Sequence, residues 1–123
     1  MPKFYLALGC INAMLVVILG AFGAHGLKAR ITVENMAIFQ TGVQYHFYHA
    51  IGLIFVGLIA WHIPDSPPLR WSAWLMLMGI VLFSGSLYAL SITNIRWLGM
   101  ITPFGGTAFI LAWLLLTVSI VKS

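Results

Sequence analysis

Charge is scarce in this sequence. Only 7% of its 123 residues are Asp, Glu, Lys or Arg, against about 25% in soluble globular domains, whose surfaces must face water. Two residues are acidic and six are basic, too few to solvate a globule, so a soluble domain is excluded. The basic residues are scattered singly, whereas nucleic-acid binders cluster Lys and Arg on one face. The net charge of +4 therefore does not point to nucleic acid. Cysteine is equally rare. Cys10 is the only one, which excludes an intramolecular disulfide.

What the chain has instead is apolar length: 62% of it is hydrophobic. The charges are Lys3, Lys28, Arg30, Glu34, Asp65, Arg70, Arg96 and Lys122, and they leave uncharged intervals at 4–27, 35–64, 71–95 and 97–121. Each interval exceeds the roughly 20 residues needed to cross about 30 Å of hydrocarbon. A charge at the centre of a spanning helix costs about 3 kcal/mol on insertion scales, which accounts for every charge falling at an edge. The pattern predicts an all-α fold, an integral membrane four-helix bundle. It forms a single transmembrane domain over 1–123, with helices near 4–25, 33–61, 69–91 and 103–121. The lipid bilayer is its first partner. The small residues near Ala21 and Gly23 also resemble a signal-peptide cleavage region, but the first segment is read as a helix.

The connections carry their own signals. In Lys28–Glu34, Thr32 is placed to cap the second helix, and Glu34 would lie where the helix dipole favours a negative charge. Pro64, Pro67 and Pro68 end that helix, because proline removes a donor and clashes with the preceding turn. Trp71 and Trp74 read as interfacial anchors of the third helix. Thr102-Pro103 reads as an N-cap followed by proline at the first helical position. The termini and second connection carry Lys3, Arg70 and Lys122, while the opposite side carries Lys28, Arg30 and Arg96. That balance gives the positive-inside rule nothing to act on.

Any chemistry must then come from uncharged polar groups within the spans. His25 sits in Gly20-Ala21-Phe22-Gly23-Ala24-His25-Gly26-Leu27, at the exit of the first helix. It is expected to hydrogen-bond the start of the second or fourth helix, which topology puts on the same side. Helix two holds Gln40, Gln44, Tyr45, His46 and His49. Helical spacing predicts a stripe of Gly42, Tyr45, His49, Gly52 and Val56. Helix three holds Ser84, Ser86 and Tyr88, and Thr102 opens helix four before the adjacent Gly105 and Gly106. The interhelix candidates are thus His25, Gln40, Gln44, Tyr45, His49, Ser84, Ser86, Tyr88 and Thr102. Polar groups in spanning helices are costly and usually face the bundle interior. A neutral imidazole, with one donor and one acceptor, suits a connector between helices. His46 and His49 are three apart and could face one metal together with His25. A zinc site, however, needs three or four ligands, and the spans contain no carboxylate. No metal or cofactor is expected.

These motifs occur in one order along the chain: Gly20–Leu27, Gln40-Thr41-Gly42 with Tyr45 and His49, Ser84-Gly85-Ser86-Leu87-Tyr88, and Thr102-Pro103-Phe104-Gly105-Gly106. The ordered set resembles the uncharacterised family of small four-helix bacterial inner-membrane proteins called domain of unknown function four-two-three. The resemblance covers nearly the whole chain. It implies a multi-pass protein of the bacterial inner (plasma) membrane with both termini cytoplasmic and no established enzymatic activity. It assigns no catalytic residue.

Three functions compete. The first is a non-enzymatic structural or accessory membrane protein, associating with itself as a homo-oligomer or with a larger membrane complex. The second is a small channel or carrier component with His25, Tyr45 and His49 along a polar path. The third is a haem- or metal-binding membrane subunit using the histidines. No carboxylate pair and no nucleophile with a base is present to support an enzyme.

Overall fold

The computed structural model describes residues 1–123 and folds them into four membrane-length helices: α1 (Pro2–Leu27), α2 (Val33–Ala60), α3 (Pro67–Thr93) and a fourth span over Arg96–Val121. The fourth span opens with a 3₁₀ turn at Arg96–Met100 and continues as α4, Thr102–Val121. α1, α3 and the fourth span run further than sequence spacing predicts, by residues added at their ends, while α2 stops one residue short of its expected end. Prolines stand in the first turns of α1, α3 and α4, where a missing N–H costs nothing because that position has no intrahelical acceptor. Pro67 and Pro68 therefore begin α3 rather than merely ending α2. Thr32 does cap α2, its Oγ1 accepting from the Asn35 N–H at 3.1 Å. α3 ends at Asn94, whose φ of 60° is left-handed, a conformation asparagine tolerates.

Thr102 is not the cap expected of it. Ile101 precedes α4, Thr102 is its first helical residue, and the Thr102 hydroxyl is engaged by Ser86 instead. Two further departures lie inside the spans. Gly23–Leu27 of α1 and Ile80–Ser84 of α3 are π-helical turns. Each widens the helix by one residue and shifts the face presented beyond it.

Lipid is as apolar as leucine, so helix association in a bilayer rests on close packing and interhelical hydrogen bonds. Both are visible. α1 lies along α2 through glycines: a Cβ on Gly9 would stand 2.6 Å from Ile54 Cγ1 and 2.9 Å from the Ala50 carbonyl, and one on Gly57 would stand 2.6 Å from Leu6 Cγ. α4 lies along α3, where Gly105 backs onto the Phe83 main chain within the second π turn. Of the adjacent glycines of α4, Gly105 thus marks a close backbone approach within a regular helix, while a Cβ on Gly106 would meet only the Phe83 ring at 3.7 Å. The apolar core joins Tyr5, Leu53, Val56, Leu69, Met76 and Leu116, toward the termini. The outward faces carry large apolar side chains such as Val17, Val81, Phe104 and Ile110, all more than 60% exposed. Polar groups such as Ser72, Ser84 and Ser91 are fully buried. That inside-out distribution suits a hydrocarbon solvent.

These contacts separate two kinds of glycine. Gly9→Val forces a Cβ and two methyls into the α2 backbone, and overpacking of this type costs about 1–3 kcal/mol. Gly20→Ala meets only Val43 Cγ1 at 3.8 Å and removes a poor helix former. Thermal melting in detergent should show Gly9→Val clearly destabilised and Gly20→Ala unchanged or slightly more stable. Equal melting of both would show that the α1–α2 contact is loose.

Candidate functional site

A seam of polar side chains runs through the bundle from the middle of α1 to the connection after α3. Its centre is His46, buried on α2. Asn12 donates from Nδ2 to the Leu8 carbonyl at 2.8 Å. Because a carbonyl only accepts, this orients the amide and leaves Oδ1 facing His46. His46 Nε2 lies 3.0 Å from Asn12 Oδ1, so Nε2 carries the proton and donates. The other ring nitrogen, Nδ1, must then accept, and it does so from the Tyr88 hydroxyl at 2.9 Å. The result is a directed chain from Tyr88 O–H through the imidazole and the Asn12 amide to a backbone carbonyl. It ties α1, α2 and α3 together.

His49 is held in the opposite sense. Its Nδ1 lies 2.7 Å from the Tyr45 carbonyl and therefore donates. Its Nε2 accepts from the Trp113 indole N–H at 3.0 Å. The ring also stacks on Phe109, with centroids 3.5 Å apart and planes 8° from parallel. This second knot joins α2 to α4. Two hydroxyl contacts complete the set. Ser84 donates to the Gly42 carbonyl at 2.7 Å, and Ser86 and Thr102 share a 2.6 Å hydrogen bond between α3 and α4.

The seam ends at Asn35. Its Nδ2 donates to the Ser91 carbonyl at 3.2 Å and to Asn94 Oδ1 at 3.1 Å, while its Oδ1 accepts from Arg96 Nη2 at 3.2 Å. One amide thereby joins the start of α2, the end of α3 and the turn before α4. The Tyr5 hydroxyl is the one buried side-chain polar atom left without a partner.

The structure thus brings His49, Ser84, Ser86, Tyr88 and Thr102 into contacts between helices. Tyr45, at 37% exposure, reaches α3 only through its ring, whose centroid is 4.8 Å from that of Phe83. His25, Gln40 and Gln44 are exposed and make no hydrogen bond to another helix. Gly23 and Leu27 are buried, so His25, midway between them, points outward. Its ring makes no hydrogen bond to α2 or α4, contrary to the expectation from sequence. Gln44 bonds only Tyr48 within its own helix, at 2.6 Å, and Gln40 bonds nothing. The buried stripe of α2 runs through Phe39, Gly42, His46, His49, Leu53 and Val56, which turns Tyr45 to its edge. The path drawn through His25, Tyr45 and His49 is not assembled, since only His49 lies inside. No three His, Cys, Asp or Glu side chains come together in metal-binding proximity.

Sequence reasoning set His46 aside as a connector and passed over Asn12, Asn35, Ser91, Asn94, Arg96 and Trp113. Asn12 did carry a signal: it is a lone amide in the middle of an apolar run, where an unpaired polar group is costly.

Comparison with known proteins places the chain in company. The model of a family described as "Protein of unknown function (DUF423)" matches residues 19–106. A UPF0382 membrane protein of Bacillus subtilis, YwdK, is 52% identical over 120 residues, covering 98% of each chain. A UPF0382 membrane protein of Staphylococcus epidermidis is 45% identical over 98% of this chain and 97% of its own. One of Staphylococcus aureus is 41% identical over the same shares. No solved structure matches.

The seam makes a stability prediction. Tyr88→Phe leaves His46 Nδ1 open and should cost about 1 kcal/mol, the scale of an interhelical hydrogen bond in a membrane. His46→Leu strands both Asn12 and Tyr88 and should cost more. The double variant should cost less than the sum of the two, because both act on one chain of bonds. Strict additivity in reversible unfolding from mixed micelles would show that the two side chains act independently.

Proposed function

The chain belongs to the DUF423 family of membrane proteins of unknown function, and from that footing we propose that it is a non-enzymatic structural or accessory component of the bacterial inner membrane. The supporting observation is that both buried histidines, His46 and His49, are fully spent. His46 uses both ring nitrogens in hydrogen bonds to other helices, and His49 donates from Nδ1 to the Tyr45 carbonyl of its own helix and accepts at Nε2 from Trp113 of α4. A histidine that binds a metal or shuttles a proton needs a nitrogen free for that task. The remaining groups of the seam are amides and hydroxyls already paired with their neighbours. The bundle therefore uses its polar atoms to hold itself together, and its activity lies in what it associates with.

Spanning helices fit the plasma membrane, because outer-membrane proteins are closed barrels. Four spans put both ends on one side, and we place that side in the cytoplasm. A fluorescent protein fused after Ser123 should then fold and fluoresce. Alkaline phosphatase at the same point should be inactive, and an active phosphatase would reverse the orientation.

The non-enzymatic reading is tested in proteoliposomes. Vesicles carrying the full chain and a pH-sensitive dye should dissipate an imposed proton gradient no faster than empty vesicles. A protein-dependent leak that His49→Phe abolishes would replace this reading with a conducting one.

A further inference from the structure

The seam accounts for the buried polar groups of α2 but not for those on its opposite side. Gln40 and Gln44 are exposed, and exposure on this helix means contact with lipid. α2 has 28 residues, about 42 Å at 1.5 Å per residue, and Gln44 lies about 4 Å from its midpoint and Gln40 about 10 Å. Both fall inside a hydrocarbon layer about 30 Å thick. Gln40 has no hydrogen bond. Gln44 gives one N–H to Tyr48, which leaves its carbonyl oxygen open. From the depth of Gln44 a glutamine stem is too short to carry its amide to the headgroups, and lipid tails supply no partner.

Beside these amides the surface is hollow. A groove of about 250 Å³ runs between α1 and α2, lined by Gly20, Gly23, Ala24, Val43, Gln40 and Gln44. Gly23 is required by the chain's own packing, since a Cβ there would stand 2.5 Å from the Phe39 ring; Gly20 is not, its nearest neighbour being Val43 Cγ1 at 3.8 Å. The absence of a side chain at Gly20 leaves the groove open beside Val43.

We propose that this face of α2 is a self-association surface, on which a second copy of the chain pairs through Gln40 and Gln44 while the hollow at Gly20 lets the helices approach. The amide chemistry selects the occupant. An amide is both donor and acceptor, so two identical glutamines meeting across a twofold axis satisfy each other. A twofold interface also needs a patch complementary to itself. Both copies enter the membrane with the same orientation, so the axis lies along the membrane normal. The two α2 helices then run parallel, and each residue meets its own counterpart. This inference rests on the reading of the protein as a structural or accessory component and names its partner.

The test uses the full chain in liposomes at low protein density. In a Cys10→Ala background, Ala37→Cys sits one turn from Gln40 on the same outward face, while Val81→Cys sits on the lipid-facing side of α3. Oxidation should give a disulfide-linked dimer with Ala37→Cys and little with Val81→Cys. Adding Gln40→Leu and Gln44→Leu should lower the dimer yield about tenfold or more, equivalent to about 1.4 kcal/mol of lost association. Gly20→Leu should also lower it, while helicity by circular dichroism stays constant in every variant. Counting photobleaching steps of labelled protein should give two per spot, falling to one with the leucine pair. Single steps for the unsubstituted chain, equal cross-linking at both cysteines, or a dimer indifferent to the leucines would overturn the proposal. The first of these outcomes points to lipid or another protein as the occupant of the groove. The proton-leak measurement reads the interior of one protomer, so its failure is separate from that of the dimer.

Discussion

Hydrocarbon offers a polar group nothing to bond with, and that single constraint organises this protein. Backbone amides satisfy it by staying helical. Side chains satisfy it only by finding one another, and the chain from Tyr88 through His46 and Asn12 to the Leu8 carbonyl is the central case. Each member is oriented by the next. The Leu8 carbonyl fixes the amide, the amide fixes the imidazole tautomer, and the tautomer fixes which way the phenol points. A contact of leucine against leucine would hold three helices near each other but would not select their rotation about their own axes. A directed chain of hydrogen bonds does, because turning any helix by one residue, about 100°, removes a donor from its acceptor.

Shape does the rest. Where α1 meets α2 and α3 meets α4, glycines let backbones approach closely enough that a methyl group would collide. Polar pairing and close packing are complementary in a bilayer, since neither draws on the expulsion of water. Their spatial division is clear. Close apolar packing dominates toward the termini, around Tyr5, Leu69 and Leu116. The polar links crowd toward the opposite end, where Asn35 gathers α2, α3 and the turn before α4.

Much of this was legible in the sequence, for physical reasons that differ by level. The spans could be read from the placement of the charges, because a charge in hydrocarbon is costly wherever it falls. The helix ends were less so, because proline both stops one helix and starts another, and only the fold decides which residues it serves. Ser84, Ser86, Tyr88, His49 and Thr102 stood out as polar groups within or beside apolar segments. Their neighbours His25, Gln40 and Gln44 stood out equally and yet point away, and Tyr45 reaches α3 only with its ring. The difference is helical phase. A stripe drawn through Tyr45 and one drawn through His46 differ by a single residue, and composition does not choose between them. The partners were harder still, because Trp113 and Asn12 lie 64 and 34 residues from the histidines they bond. The π turns in α1 and α3 leave no sequence period by which to find them.

The order of the helices along the chain also gives the seam an order of completion. α1 and α2 are the first to enter the membrane, and their contacts through Gly9, Gly23 and Gly57 involve only each other. The Asn12–His46 bond can close as soon as that hairpin forms. The far side of the imidazole cannot. Nδ1 waits for Tyr88, and the Nε2 acceptor of His49 waits longer, for an indole that arrives with the last helix. A nascent chain stalled after α2 therefore carries two open acceptors inside the bilayer. Each later helix brings the donor that closes one of them, so the hairpin is a template with its vacancies already specified.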